Sequence, residues 1–169
     1  RVEIMEIAAS PNAQYGDSAN SKRITVYYSS TVAAPACGKI KYIDYPNGKR
    51  ESFEYEFGTI SNRTVPGSLV FTPDLTGTSI RITTTHGTHN SSAGVALKTL
   101  KKIQILDELG NNVTEEQYVY TGNDYSRISW AYNIYNSEHK VIQTFTSDNL
   151  IQEKNWSCCY LESLKDPIG

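Results

Sequence analysis

No apolar run in this chain approaches the roughly 20 residues that a helix needs to cross a bilayer, so no transmembrane segment is expected. Neither sign of charge is in excess. The 16 basic and 18 acidic residues leave a net charge of −2, which argues against a nucleic-acid partner, since such partners are met by a basic patch or stripe. The one basic cluster, Lys98, Lys101 and Lys102, reads as a solvated strand or loop face. No secretory leader is expected among these residues. The chain starts at Arg1-Val2-Glu3-Ile4 without Met and closes on Lys165-Asp166-Pro167-Ile168-Gly169, a linker-like end, so one module of a larger parent chain is expected.

Groups that carry chemistry are scarce. The histidines are His86, His89 and His139. None sits in a nucleophile context, and no Gly-x-Ser-x-Gly occurs, so neither a Ser nor a Cys hydrolase is supported. Glycosidases need two carboxylates about 5–9.5 Å apart. Glu51, Glu54, Glu56, Glu115 and Glu116 are the candidates, but Glu54 and Glu56 read better as a charge ladder on a hairpin. His86-Gly87-Thr88-His89 places two imidazoles in one loop, short of the three or four ligands zinc takes. Calcium suits the loop oxygens of Asp107, Glu108, Asn111 and Asn112, or of Asn123 and Asp124, although turns use the same residues for local hydrogen bonding. The expectation is a protein that is no enzyme and has no cofactor, with calcium the one metal its loops could take.

Three cysteines, Cys37, Cys158 and Cys159, leave an odd one. Neighbouring Cα atoms lie about 3.8 Å apart and disulfides prefer about 4.4–6.8 Å, so a bridge from Cys37 to Cys158 or Cys159 is expected in oxidising surroundings. Four Asn-x-Ser/Thr sequons, at Asn62, Asn90, Asn112 and Asn155, exceed the roughly two expected by chance and fit a secreted or cell-surface glycoprotein.

Tyr, Thr, Ser and Asn are plentiful, with 12 Tyr, and Tyr and Thr favour pleated, half-buried surfaces. In Ser126-Arg127-Ile128-Ser129-Trp130-Ala131-Tyr132-Asn133-Ile134-Tyr135, every second residue is apolar, the period of a half-buried antiparallel strand. Ile128, Trp130, Tyr132 and Ile134 are therefore expected in the core. Lys39 to Tyr45 and Glu51 to Phe57 flank Pro46-Asn47-Gly48-Lys49, and Asn-Gly is a strong hairpin signal. In that hairpin Lys39 and Lys41 are expected across from Glu54 and Glu56. Further strands are expected near 2–7, 24–28, 68–72, 78–85 and 141–146, with 94–97 and 102–106 as two strands or one interrupted strand, and extended pieces at 113–114 and 117–120. About nine to eleven strands at short spacing read as an all-β fold. An antiparallel two-sheet sandwich, jelly-roll-like, is expected over 1–147, with a C-terminal tail over 148–169. Asp148 or Asn149 would cap a short helix over Leu150 to Lys154.

The remaining signal is aromatic. Tyr118, Tyr120, Tyr125, Trp130, Tyr132 and Tyr135 fall close together. Rings with amides and carboxylates nearby suit a sugar, which has an apolar face and a hydroxyl rim. Because Trp130 and Tyr132 belong to the core pattern, the expected ligand-binding residues are Asn123, Asp124, Tyr125 and Arg127 in the loop, with Tyr135 on the opposite strand face. The expected function is recognition of a glycan or cell-surface protein through end loops, with adhesion as its outcome. A structural or assembly domain of a surface appendage, fibre or shell, able to form an oligomer, is the second expectation. A β-rich toxin or membrane-binding module is the third.

Overall fold

Strand alternation is realised in twelve segments of the described chain. The computed structural model describes residues 1–63, 68–88 and 97–165, and at 97 and 98 the backbone alone. Twelve strands run in order: β1 (Val2–Ile7), β2 (Ser21–Tyr27), β3 (Ile40–Asp44), β4 (Lys49–Ser61), β5 (Val70–Pro73), β6 (Ser79–Thr88), β7 (Leu97–Leu106), β8 (Asn112–Tyr120), β9 (Tyr125–Tyr135), β10 (Val141–Thr146), β11 (Ile151–Trp156) and β12 (Leu161–Lys165). Hydrogen bonding gathers them into one antiparallel sheet that does not close, ordered β1-β2-β3-β4-β6-β7-β8-β9-β10-β11-β12, with β5 paired to β4. The sequence reading divides these strands between two sheets. The chain instead meanders, each strand turning back on the one before except β6, which lies beside β4 rather than β5. The part of the expected 94–97 strand before Leu97 lies outside the described residues.

No helix occurs among the described residues, and the one expected over Leu150 to Lys154 is replaced by β11. The two expected cap residues, Asp148 and Asn149, belong to a hairpin turn. In it Thr146 N–H donates to Leu150 C=O at 3.1 Å and Asn149 N–H to Thr146 C=O at 3.1 Å, with Asn149 at φ 58°. Three other turns have this form: Tyr45 to Lys49, Asp107 to Asn111 and Asn136 to Lys140. Each has three loop residues, the third with positive φ: Gly48, Gly110 and His139. This is the type I turn plus left-handed residue that joins antiparallel strands.

Backbone proximity divides the chain into two compact units, one of Arg1–Tyr55 with Thr83–Lys101, the other of Glu56–Ile82 with Lys102–Gly169. In the first, Ile43 on β3 is buried. In the same unit Tyr28 donates its hydroxyl to the Phe53 carbonyl at 3.0 Å, and the Tyr28 and Tyr55 rings meet edge to face. The β3–β4 register differs by one residue from the expected one. Tyr42 pairs with Ser52, Ile43 with Glu51 and Asp44 with Arg50. A two-residue Asn-Gly loop would have paired Pro46 with Lys49; the observed loop takes in Pro46 and pairs Tyr45 with Lys49. One residue of slip flips the partners. The lysine–glutamate ladder is therefore absent. Lys39 Nζ lies 4.9 Å from the Tyr55 ring centre and Lys41 Nζ 5.7 Å from that of Tyr28.

In the second unit the core gathers on Tyr132, 3% exposed, with Ile105 and Val113 also buried. Tyr132 donates its hydroxyl to the Arg63 carbonyl. Arg63 in turn grips Glu108 with two guanidinium nitrogens, at 3.2 and 2.5 Å. Phe71 on β5 packs its ring against Gly58 on β4, where any larger residue would collide with it. Of the four expected core residues of β9, Tyr132 is buried and Trp130 and Ile134 are half-buried. Ile128 is 56% exposed, for a reason given below.

All three cysteines are free and exposed in this structure, with no bridge from Cys37 to Cys158 or Cys159. Cys37 points its thiol at the Ser30 carbonyl, 3.5 Å away, and Cys158 and Cys159 face each other. Of the sequons, Asn62 and Asn155 are exposed and Asn112 is half-buried; Asn90 lies outside the described residues. No helix among the described residues is long and apolar enough to cross a membrane.

Candidate functional site

The β8–β9 hairpin carries the aromatic cluster, and its construction decides which side chains meet. Thr121 N–H donates to Asp124 C=O at 2.8 Å, leaving Gly122 and Asn123 as a two-residue loop. Gly122 takes φ 102°, and glycine at the first loop position is what a type II′ turn requires. Tyr120 then pairs with Tyr125, Val119 with Ser126 and Tyr118 with Arg127. Beyond that the register shifts: Gln117 pairs with Ser129, Glu116 with Trp130 and Thr114 with Tyr132. Ile128 is the extra residue of a β-bulge, which breaks the alternation of its strand. Simple period two would put Arg127 and Trp130 on opposite faces. The bulge brings Tyr125 and Arg127 to the face of Trp130 and Tyr132, and leaves Ile128 exposed.

On that face a depression of about 190 Å³ lies within the second unit. Its lining includes the apolar Phe71, Ile103 and Ile105, the aromatic Tyr118 and Trp130, and the charged Arg81, Arg127 and Glu116. Arg127 Nη1 donates to Glu116 Oε1 at 2.8 Å, and the Tyr118 hydroxyl donates to Glu116 Oε2 at 2.5 Å. Burial, then the hydrogen bond to the Glu116 carboxylate, pushes the Tyr118 phenol up to about 12. Arg81 Nε donates to Glu56 Oε2 at 3.0 Å while its guanidinium lies 4.9 Å from the Phe71 ring centre. Both carboxylates of this region are thus held by arginines. With Oε1 and Oε2 both engaged, Glu116 is placed to orient Tyr118 and Arg127. The surface offers an aromatic edge, a phenol and two guanidinium groups, which suit a ligand bearing hydroxyls and an apolar face.

The expected ligand residues are divided. Asn123 and Asp124 sit at the exposed hairpin tip, where Asp124 Oδ1 accepts from Tyr125 N–H at 2.7 Å. Tyr125 is half-buried and meets the Tyr120 ring, centroids 5.3 Å apart. Arg127 lines the depression. Tyr135 is ten residues beyond Tyr125 along β9, roughly 30 Å at strand rise, on the other face, with its hydroxyl donated to the Asn112 carbonyl at 2.9 Å. The structure does not bring it to the other four. Arg81 and Phe71 were not among the expected residues; their place beside Tyr118 depends on β5 and β6, which local sequence does not show.

The other candidate chemistries are accounted for locally. Asp107 Oδ1 accepts from Leu109 N–H at 3.0 Å and Asn111 N–H at 2.8 Å, and its Oδ2 from Asn111 Nδ2 at 3.0 Å, so its oxygens shape the turn. Among the described residues, no three of His, Cys, Asp and Glu converge on one point. His89 lies outside the described residues. His86 lines a separate hollow of about 490 Å³ in the first unit, with Tyr45 and Glu51; His86 Nε2 is 3.8 Å from Glu51 Oε1 and the Tyr45 hydroxyl donates to Glu51 Oε2 at 2.9 Å. Glu54 is exposed. Glu115 pairs with Lys102 at 2.8 Å and accepts from Gln104 at 3.2 Å. Compared with known proteins, the chain matches no family model and no curated relative.

Proposed function

We propose that the chain is a structural module that assembles by adding strands at the edges of its sheet. One observation carries this reading. The outermost strands β1 and β12 each pair on one side only among the described strands, yet they carry exposed apolar side chains: Val2, Ile4, Met5 and Ile7 on β1, Leu161 and Leu164 on β12. An open edge exposes unpaired N–H and C=O groups, and edges that must stay free are usually blunted by lysine, proline or bulges. Within Val2–Ile7 there is no lysine, proline or bulge, and the charges present are Glu3 and Glu6. Strand addition would satisfy the backbone and cover the side chains together. Sedimentation of the purified chain over a range of concentrations tests it. The wild type is expected to associate, and Met5→Lys with Ile7→Lys to shift it to monomer. A wild-type chain that stays monomeric at every concentration would overturn the proposal.

A second reading, recognition of a glycan, is favoured by the grouping of Tyr118, Arg127 and Trp130 in one depression. A site this small binds weakly as a single copy and gains through repetition, which an assembling sheet would provide. A glycan array with wild type and Arg127→Ala decides it. Binding that Arg127→Ala does not weaken would place recognition elsewhere.

A further inference from the structure

The β11–β12 hairpin holds a chemistry that neither reading uses. Its two loop positions are Cys158 and Cys159, flanked by Ser157 and Tyr160. Ser157 N–H donates to Tyr160 C=O at 3.0 Å, and Tyr160 N–H donates to Ser157 Oγ at 3.4 Å. Along a strand, neighbouring side chains point to opposite faces. At this turn both thiols swing together, their Sγ atoms 3.0 Å apart, and both residues are exposed. The tip is also clamped. Lys140 Nζ donates to the carbonyls of Ser157 at 3.0 Å and Cys158 at 2.6 Å, and is paired with Glu138 at 2.8 Å.

Neighbouring Cα atoms, about 3.8 Å apart, fall short of the about 4.4–6.8 Å that a relaxed disulfide spans. Closing these thiols on each other is therefore strained, and strained disulfides are readily reduced. The pair is suited to remain a dithiol and to bind one soft centre with both sulfurs on the same side. Zinc would need three or four ligands, and among the described residues no third His, Cys, Asp or Glu joins the pair. A trivalent arsenical brings its own third substituent and needs two sulfurs only.

We propose that Cys158 and Cys159 form a chelating dithiol site for a soft, thiophilic trivalent centre of the organoarsenical type, RAs(III). With RAsO the step is RAsO + 2 Cys–SH → RAs(S–Cys)₂ + H₂O. Two As–S bonds form, the arsenic–oxygen bond breaks, both thiol protons leave on that oxygen as water, and arsenic stays trivalent.

The test uses the reduced full chain and phenylarsine oxide. After a wash with glutathione, a monothiol, bound arsenic is counted by mass spectrometry. One arsenic per chain should survive the wash and be released by 2,3-dimercaptopropanol. Cys37→Ser should behave as wild type, whereas Cys158→Ser and Cys159→Ser should each lose the retained arsenic. Both cysteines are exposed loop residues, so the fold should survive, and circular dichroism checks that it does. Retention by either single variant through the glutathione wash, or no retention by wild type, would overturn the proposal.

Discussion

The β3–β4 and β8–β9 hairpins answer one problem in opposite ways. Both must place a row of aromatic side chains on a chosen face. In β3–β4 the adjustment is in the loop: Pro46 joins Asn47 and Gly48, and the register moves by one from what Asn-Gly alone implies. In β8–β9 the loop is the short one and the adjustment is in the strand, where Ile128 is inserted as a bulge. The first puts lysines against rings. The second brings Arg127 round to Trp130 and the Glu116 carboxylate. A one-residue event is enough in each case, because side chains alternate with a period of two.

The sharpest way to break the comparison is along β9 itself, where Ile128, Trp130 and Tyr132 would be equivalent if the strand were regular. Denaturant unfolding should rank them. Tyr132→Ala should cost about 3–5 kcal/mol, as for a buried aromatic. Trp130→Ala should cost about 1.5–3 kcal/mol, and Ile128→Ala under about 0.5 kcal/mol, as for a surface site. Equal costs at 128 and 132 would contradict the bulge.

The Tyr118–Glu116 contact gives a pH signature confined to β8–β9. Tyr118 has a folded value near 12 against about 10 unfolded. The folded state holds this proton more tightly, so its contribution to stability is full below about pH 10 and is lost as pH rises towards 12. Tyrosinate absorbance should show one ring ionising last. Glu116→Gln should lower that step, though not to the free value, because burial remains its largest cause. No change in Glu116→Gln would show that the carboxylate does not reach the phenol.

A smaller effect tests β3–β4. A double-mutant cycle on Lys39 and Tyr55 should give a coupling of about 0.5–1 kcal/mol, the range of an exposed cation–π contact, and the Lys41–Glu54 cycle should give none. The reverse result would restore the charge ladder. The mildest change is deletion of Pro46, which shortens the loop to Asn-Gly while Tyr45 and Lys49 remain partners. It should move the melting temperature little and leave the Lys39–Tyr55 coupling intact.

What was legible in the sequence follows the same physics. Alternation located most strands, and Asn47-Gly48 marked its hairpin. Register was not legible, since Asn-Gly is compatible with two- and three-residue loops alike. Nor was the bulge, because Ile128 fits the apolar pattern it interrupts. Asp148 or Asn149 reads as a helix cap because caps and turns draw on one chemistry, short side chains that bond nearby backbone. Leu150 to Lys154 then formed a strand because β10 offered an edge, a non-local fact. Of the expected ligand residues, Tyr125 and Arg127 reach the face of the depression through that bulge. Asn123 and Asp124 stay at the tip, and Tyr135 is on the far face.

The meander order has a kinetic consequence. Among the described strands each lies beside one that precedes or follows it in the chain, and the non-consecutive neighbours β4 and β6 are separated in sequence only by β5. Sheet growth therefore asks for short loop closures, one hairpin at a time, and such local pairing is the inexpensive kind in chain entropy. A chain emerging from its N-terminus could extend the sheet as each strand arrives. The Tyr132–Arg63 contact, 69 positions apart in sequence, is of the opposite kind. It can form only after β9 is present, which makes it a late event that locks the second unit once the strands are in place.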